Sequence, residues 1–309
     1  MVNETFITEF ILIGLSSDPK MALLLFQLFL VLYIVILLGN LMIITVVGLD
    51  PQLHTPMYFF LSNLSILDIA YTSTIVPKML VNLLSIKKTI SFNACATQIY
   101  MYLLLGETEC LLLAVMAYDR YVAICNPLRY TSIMDKAVCL RLAATSWLTG
   151  FIISIIDVYF VFRLPYCGPN MIDHFFCEAT VVLRLACADI SVNEIVTLVG
   201  GALVLLVPLS LILTSYAHIL AVILRIHSAE GRCKTFSTCA SHIAVVTLFY
   251  GTAISMYMRP RPKGLTDGKE KMVSVFYTIV TPLLNPLIYS LRNQDVKRAI
   301  WKALRAKKY

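Results

Sequence analysis

Charge is scarce in this chain, and where it falls inside long apolar runs it marks candidate chemistry. Of the 309 residues, 59% are hydrophobic and 14% charged, against roughly 25% charged in soluble domains. Asp68, Glu107 and Glu109 sit in the middle of such runs, and Asp119-Arg120 closes one of them. Ionisable groups are costly in hydrocarbon, so those present mark ion paths, proton relays or switches. Asn40 and Asn285-Pro286 add amides. Asp68, Glu109 and Asn285 can converge in a core, where two carboxyls either share a proton or bind a small cation. Arg120 is a permanent cation with a planar fork of donors. It can bond a carboxylate in one state and a partner's helix end in another; the plainer reading is an interfacial arginine snorkelling to headgroups. No catalytic set assembles: the chain has no Walker loop, HExxH, GxSxG or paired zinc-ligand motifs. It is not read as an enzyme.

The elements that must position these groups are membrane helices. So few charges rule out a soluble enzyme, a disordered chain and a nucleic-acid-binding domain, and the net charge of +7 has to be read by location. Spanning takes roughly 20 apolar residues. Seven segments qualify: 22–49, 57–84, 93–124, 138–162, 192–226, 236–258 and 272–291. They are too long and continuous for barrel strands. Pro77, Pro208, Pro282 and Pro286 within them predict kinks. The reading is therefore an all-α membrane protein, one domain over 1–309. Its parts are an outer N-terminus at 1–21, a seven-helix bundle at 22–291 and an amphipathic cytoplasmic helix and tail at 292–309.

Three signals put the N-terminus outside. Basic residues exceed acidic ones on the opposite side, although Arg259, Arg261, Lys263, Lys269 and Lys271 dilute the bias. Asn3-Glu4-Thr5 is a glycosylation acceptor. Cys167, Cys177 and Cys187 cluster in the one long loop, 163–191, as an oxidising compartment permits. No cleavable signal peptide is expected. Past the seventh span, Val296, Ile300, Trp301 and Leu304 fall at helical spacing among lysines and arginines, which reads as a helix lying on anionic lipid. A disordered basic tail is the alternative.

Six motifs in order resemble olfactory (odorant) receptors of the tetrapod type. They are Gly39-Asn40; Pro56-Met57-Tyr58-Phe59-Phe60-Leu61-Ser62; Met116-Ala117-Tyr118-Asp119-Arg120-Tyr121-Val122-Ala123-Ile124-Cys125; Ser215-Tyr216; Lys234-Thr235-Phe236-Ser237-Thr238-Cys239-Ala240-Ser241-His242; and Pro282-Leu283-Leu284-Asn285-Pro286-Leu287-Ile288-Tyr289. The resemblance implies a rhodopsin-like G-protein-coupled receptor in the plasma membrane, with a small-molecule odorant and a heterotrimeric stimulatory G protein as partners and cyclic AMP as output. It implies a coupling switch at Asp119, Arg120, Tyr121, Tyr216 and Tyr289. It favours a sodium-type site at Asp68, Glu109 and Asn285, and no other cofactor; a cluster without an ion is the alternative. Four outer cysteines allow three pairings, from which the family pattern selects Cys95–Cys177 and Cys167–Cys187. Cys110, Cys125, Cys139, Cys233 and Cys239 are then free. His174 beside Cys177 and Glu178 reads as a loop residue packed over the pocket, and Cys239 with His242 offers too few ligands for a metal.

By the same resemblance a ligand pocket lies between helices beneath the long loop. Leu103, Gly106, Glu107 and Cys110 follow i, i+3, i+4, i+7 spacing and share one face, while Glu109 points about 200° away from Glu107. Gly200, Gly201 and Val204 make room, and Tyr250, Ala253, Ile254, Tyr257, Tyr277 and Thr278 supply walls and hydroxyls. The Tyr250 hydroxyl either reports ligand contact or merely packs. A carboxyl at Glu107 favours amines or neutral donors over carboxylic acids, unless it serves only in helix packing. The competing functions are a transporter or channel, disfavoured by the lack of paired repeats, and a receptor for a peptide or aminergic ligand.

Overall fold

The computed structural model describes residues 7–167, 169–225, 228–257, 268–292 and 294–306. Among these described residues, seven helices are long and apolar enough to cross a membrane. They are α1 (Pro19–Leu49), α2 (Pro56–Leu84), α3 (Phe92–Cys125), α4 (Lys136–Phe162), α5 (Ser191–Leu224), α6 (Ala229–Tyr257) and a composite α7. α7 runs from Gly268–Val275 through a π-helical turn at Phe276–Val280 into Thr281–Arg292. An eighth helix, α8 (Gln294–Ala306), follows.

Short polar residues set several starts. Asp18 caps α1 by accepting from Met21 N–H at 3.2 Å, Ser91 caps α3 through Ala94 N–H at 3.3 Å, and Asp135 caps α4 through Val138 N–H at 2.7 Å. Each satisfies an N–H that a helix start leaves open. α6 begins seven residues before the apolar segment that starts at 236, because hydropathy marks the length in lipid and not the helix, and Ala229–Thr235 continues it in polar sequence. At the other end of that segment, residue 258 lies outside the described residues, as do Arg259, Arg261, Lys263 and the side chain of Lys269.

α3 is the hub, packing against α2, α4 and α5, while α1 packs on α2 and α7, and α6 on α5 and α7. Burial follows from that layout: more than half of the apolar stretch of α2 and of α3 is inside, against 17% for α1 and for α5, whose remaining side chains face lipid. Two glycines permit close crossings. A Cβ on Gly39 would lie 3.3 Å from Pro286 Cγ of α7, and one on Gly150 of α4 would collide with Thr108 Oγ1 and lie 3.0 Å from the Leu104 carbonyl of α3.

The N-terminal segment forms strand β1 (Glu9–Leu12), antiparallel to β2 (Thr89–Ser91) and parallel to β3 (Met171–Ile172) of the long loop. Phe10 and Leu12 are fully buried there. Two inward residues in four are too brief a pattern to read as a strand without the partners that complete it.

Candidate ligand cavity and switch

Both expected disulfides are present, Cys95–Cys177 and Cys167–Cys187. The first ties the long loop to the start of α3. Two further bonds continue the seam down the same α3 face: Gln98 Oε1 accepts from Cys177 N–H and the Tyr102 hydroxyl accepts from Ala179 N–H, each at 2.9 Å. The loop is also fastened to α7. Lys271 Nζ meets Asp173 Oδ1 at 2.5 Å and the Gly14 carbonyl at 3.2 Å, and His174 Nε2 lies 3.1 Å from Ser274 Oγ. His174 is thus a buried latch on α7. It does not line the cavity below.

That cavity encloses about 90 Å³, below the roughly 300–1,000 Å³ of drug-sized pockets. Leu103, Gly106, Glu107 and Cys110 of α3 line it together, with Gly201 and Val204 of α5, Ala253 of α6 and Tyr277 of α7. Its wall is completed by Tyr71, Tyr102, Asp157, Thr197, Leu205 and Phe249. Four expected lining residues lie elsewhere. Gly200 faces α4, where its Cβ position is 4.0 Å from Asp157 Oδ1. Tyr250 is buried and donates its hydroxyl to the Cys110 carbonyl at 2.9 Å, while its neighbour Phe249 takes the wall position. Thr278 turns inward and donates to the Ser274 carbonyl at 2.6 Å, because the π turn shifts the face that a regular helix would present. Ile254 follows Ala253 by about 100° on α6 and leaves the wall. The side chains of Tyr257 and Leu304 and the whole of Asn3 lie outside the described residues.

Deeper in the bundle, Asn285 Nδ2 donates to both carboxyl oxygens of Asp68 at 3.1 Å. Glu109 joins this cluster, interacting with Asp68 and with the Asn285 amide. Glu109 Oε1 and Asn285 Oδ1 are buried without hydrogen-bond partners. Glu107 and Glu109 therefore serve different places, one facing the cavity and the other the core.

At the far end of α3, Arg120 is only 6% exposed, which excludes the snorkelling reading. Its Nη2 donates to Met57 Sδ at 2.7 Å, while Asp119 Oδ1 accepts from the Tyr130 hydroxyl at 2.8 Å. Burial, with Asp119 beside it, pushes the Tyr130 phenol above its ordinary range, so this hydroxyl remains a donor. Tyr216 and His242 bond across α5 and α6 at 2.7 Å. The Arg120 charge reaches both of them, and the buried Tyr289 as well. Tyr121 packs on His218. The five expected switch residues surround one region, and Met57, Tyr130 and His242 join them.

Of the five free cysteines, Cys110, Cys139 and Cys239 are buried, Cys125 is half-buried and Cys233 is exposed. No metal-holding group of three His, Cys, Asp or Glu occurs among the described residues. α8 packs Val296 and Ala299 inward and leaves Trp301 exposed; Lys302 Nζ lies 3.6 Å from Asp50. Asp157 was missed in sequence because it lies one and a half turns from the end of its span and passes for an interfacial charge.

A family model described as olfactory receptor matches residues 29–307. Human olfactory receptor 13C9 is 53% identical over 303 residues, covering 96% of this chain and 95% of the relative. Human olfactory receptor 2D2 is 53% identical over 301 residues, with 97% of each chain covered. Mouse olfactory receptor 2A7 is 52% identical over 306 residues, covering 99% and 98%.

Proposed function

The chain belongs to the olfactory receptor family, a family of G-protein-coupled receptors in the plasma membrane and not of enzymes, and from that premise we propose how it works. A small volatile ligand enters the cavity beneath the long loop, and its binding opens the Arg120 end to a stimulatory G protein, raising cyclic AMP. The N-terminus and long loop are extracellular, α8 lies on the cytoplasmic leaflet, and Asn3 carries the glycan.

The observation that carries this reading is the continuous physical path along α3 between the two ends. Tyr250 is buried next to the wall residue Phe249 and is bonded to α3 at Cys110, itself a wall residue. On that same helix, Glu109 reaches the Asp68–Asn285 cluster and Arg120 closes the chain of polar groups. A ligand that displaces Phe249 or Tyr277 moves α6 or α7 against α3, and a packed interface answers such a push by switching between discrete arrangements. Arg120, held on the weak acceptor Met57 Sδ, has a better acceptor to gain in the carbonyls of an incoming helix end. The Asp68, Glu109 and Asn285 oxygens fit a sodium ion, which would hold the resting arrangement by screening two buried carboxyls.

A cyclic-AMP reporter run beside an ion-flux assay, with matched volatile amines, alcohols, ketones, esters and acids, tests this reading. Dose-dependent cyclic AMP without flux is expected. Flux without G protein would contradict it.

A further inference from the structure

The ligand's chemical class is written in the wall of the cavity. Glu107 of α3 and Asp157 of α4 both line it, and their side chains interact there. Glu107 is 7% exposed, and its Oε2 is buried with no hydrogen-bond partner. No Lys, Arg or His lines the cavity among the described residues, so no described wall residue offers either carboxyl a counter-charge.

Two carboxyls confined together need a proton or a cation between them. The rest of the wall suits a cation with an apolar body. Tyr71 and Tyr277 meet edge to face with ring centroids 6.4 Å apart, Phe249 stands nearby, and aromatic faces attract cations. Gly106 and Gly201 keep the centre open. A carboxylic acid would bring a third negative group with nothing to meet it. An alcohol would satisfy one oxygen at most with its single donor, whereas an ammonium offers three donors and a charge.

We propose that Glu107 and Asp157 form one cation-recognition element and that the ligand is a small primary amine, its ammonium held between the two carboxyls and its apolar part against Tyr71, Phe249 and Tyr277. This inference rests on the odorant-receptor reading for its biological meaning, but not for its chemistry.

The test measures binding and signalling separately. Purified receptor is followed by thermal stability against cyclohexylamine, cyclohexanol and cyclohexanecarboxylic acid, and against pentylamine, pentanol and pentanoic acid. Wild type is compared with Glu107→Gln, Asp157→Asn and the double variant, and cyclic AMP is read in cells. Amines should bind wild type best. Each single variant should weaken amine binding by about tenfold or more, since truncating one partner of a buried charge pair is costly, with alcohol binding changed about threefold at most. The double variant should lose less than the product of the singles, because both carboxyls hold one group. The wild-type ranking carries the test even if a variant fails to fold. Acids binding wild type better than amines, no amine binding at all, or equal losses for amine and alcohol would overturn the proposal. Amine binding without cyclic AMP would support the cation element and count against the receptor reading. Cyclic AMP evoked by alcohols but not amines would do the reverse.

Discussion

Single residues decide how close the helices come, and Gly150 is the sharpest case. In an open helix position, replacing glycine by alanine gains about 1 kcal/mol from reduced chain entropy. At Gly150 the added methyl meets Thr108 Oγ1 and the Leu104 carbonyl. Thr108 cannot yield cheaply, because its hydroxyl donates to that same carbonyl at 2.7 Å and its β-branched side chain has few rotamers. Overpacking of this kind costs about 1–3 kcal/mol, so the clash outweighs the gain. Gly150→Ala should lower the thermal midpoint, whereas Gly251→Ala, with nothing within 4 Å of its Cβ, should hold or raise it. Melting the two purified variants beside wild type checks this; equal gains would mean that α3 and α4 are not held at this distance.

At the scale of elements, the lid over the cavity is a composite, and its parts differ in how far sequence exposed them. The disulfide partners could be named only by resemblance, since four cysteines alone leave three pairings. The spans were readable because a hydrocarbon solvent demands long apolar runs. The face of α3 was readable from helical spacing, which separated Glu107 from Glu109. The π turn at Phe276–Val280 was not, because a regular period carries no mark of an inserted residue, and Thr278 was misplaced for that reason. β1 was invisible because its partners lie 80 and 160 residues further along, at Ile90↔Phe10 and Met171↔Ile11. Within this lid the Cys95–Cys177 bridge ties α3 to the loop above the cavity, and a native disulfide is worth about 2–4 kcal/mol. Cys95→Ser should abolish surface delivery, scored by flow cytometry of an N-terminal epitope tag. Full surface expression with an unchanged response would show that Gln98, Tyr102 and the α7 latches hold the lid without it.

The whole molecule joins a small cavity at one end to a buried arginine at the other, with a carboxyl cluster between them. Nothing about that span was legible as distance in the sequence, but its order along α3 was: Glu107 at the cavity, Glu109 in the core, Arg120 at the mouth. Asp157 escaped notice because a charge near a helix end is ordinary in membrane proteins, and only the approach of α4 to α3 gives it a partner. Receptor action requires transmission between the two ends, so the decisive comparison is ligand binding and cyclic AMP in wild type and Arg120→Ala at matched surface expression. Arg120→Ala should bind the same ligands with affinity within about threefold, since the switch lies far from the cavity, and should produce no agonist-stimulated cyclic AMP. An Arg120→Ala receptor that signals like wild type would contradict the account.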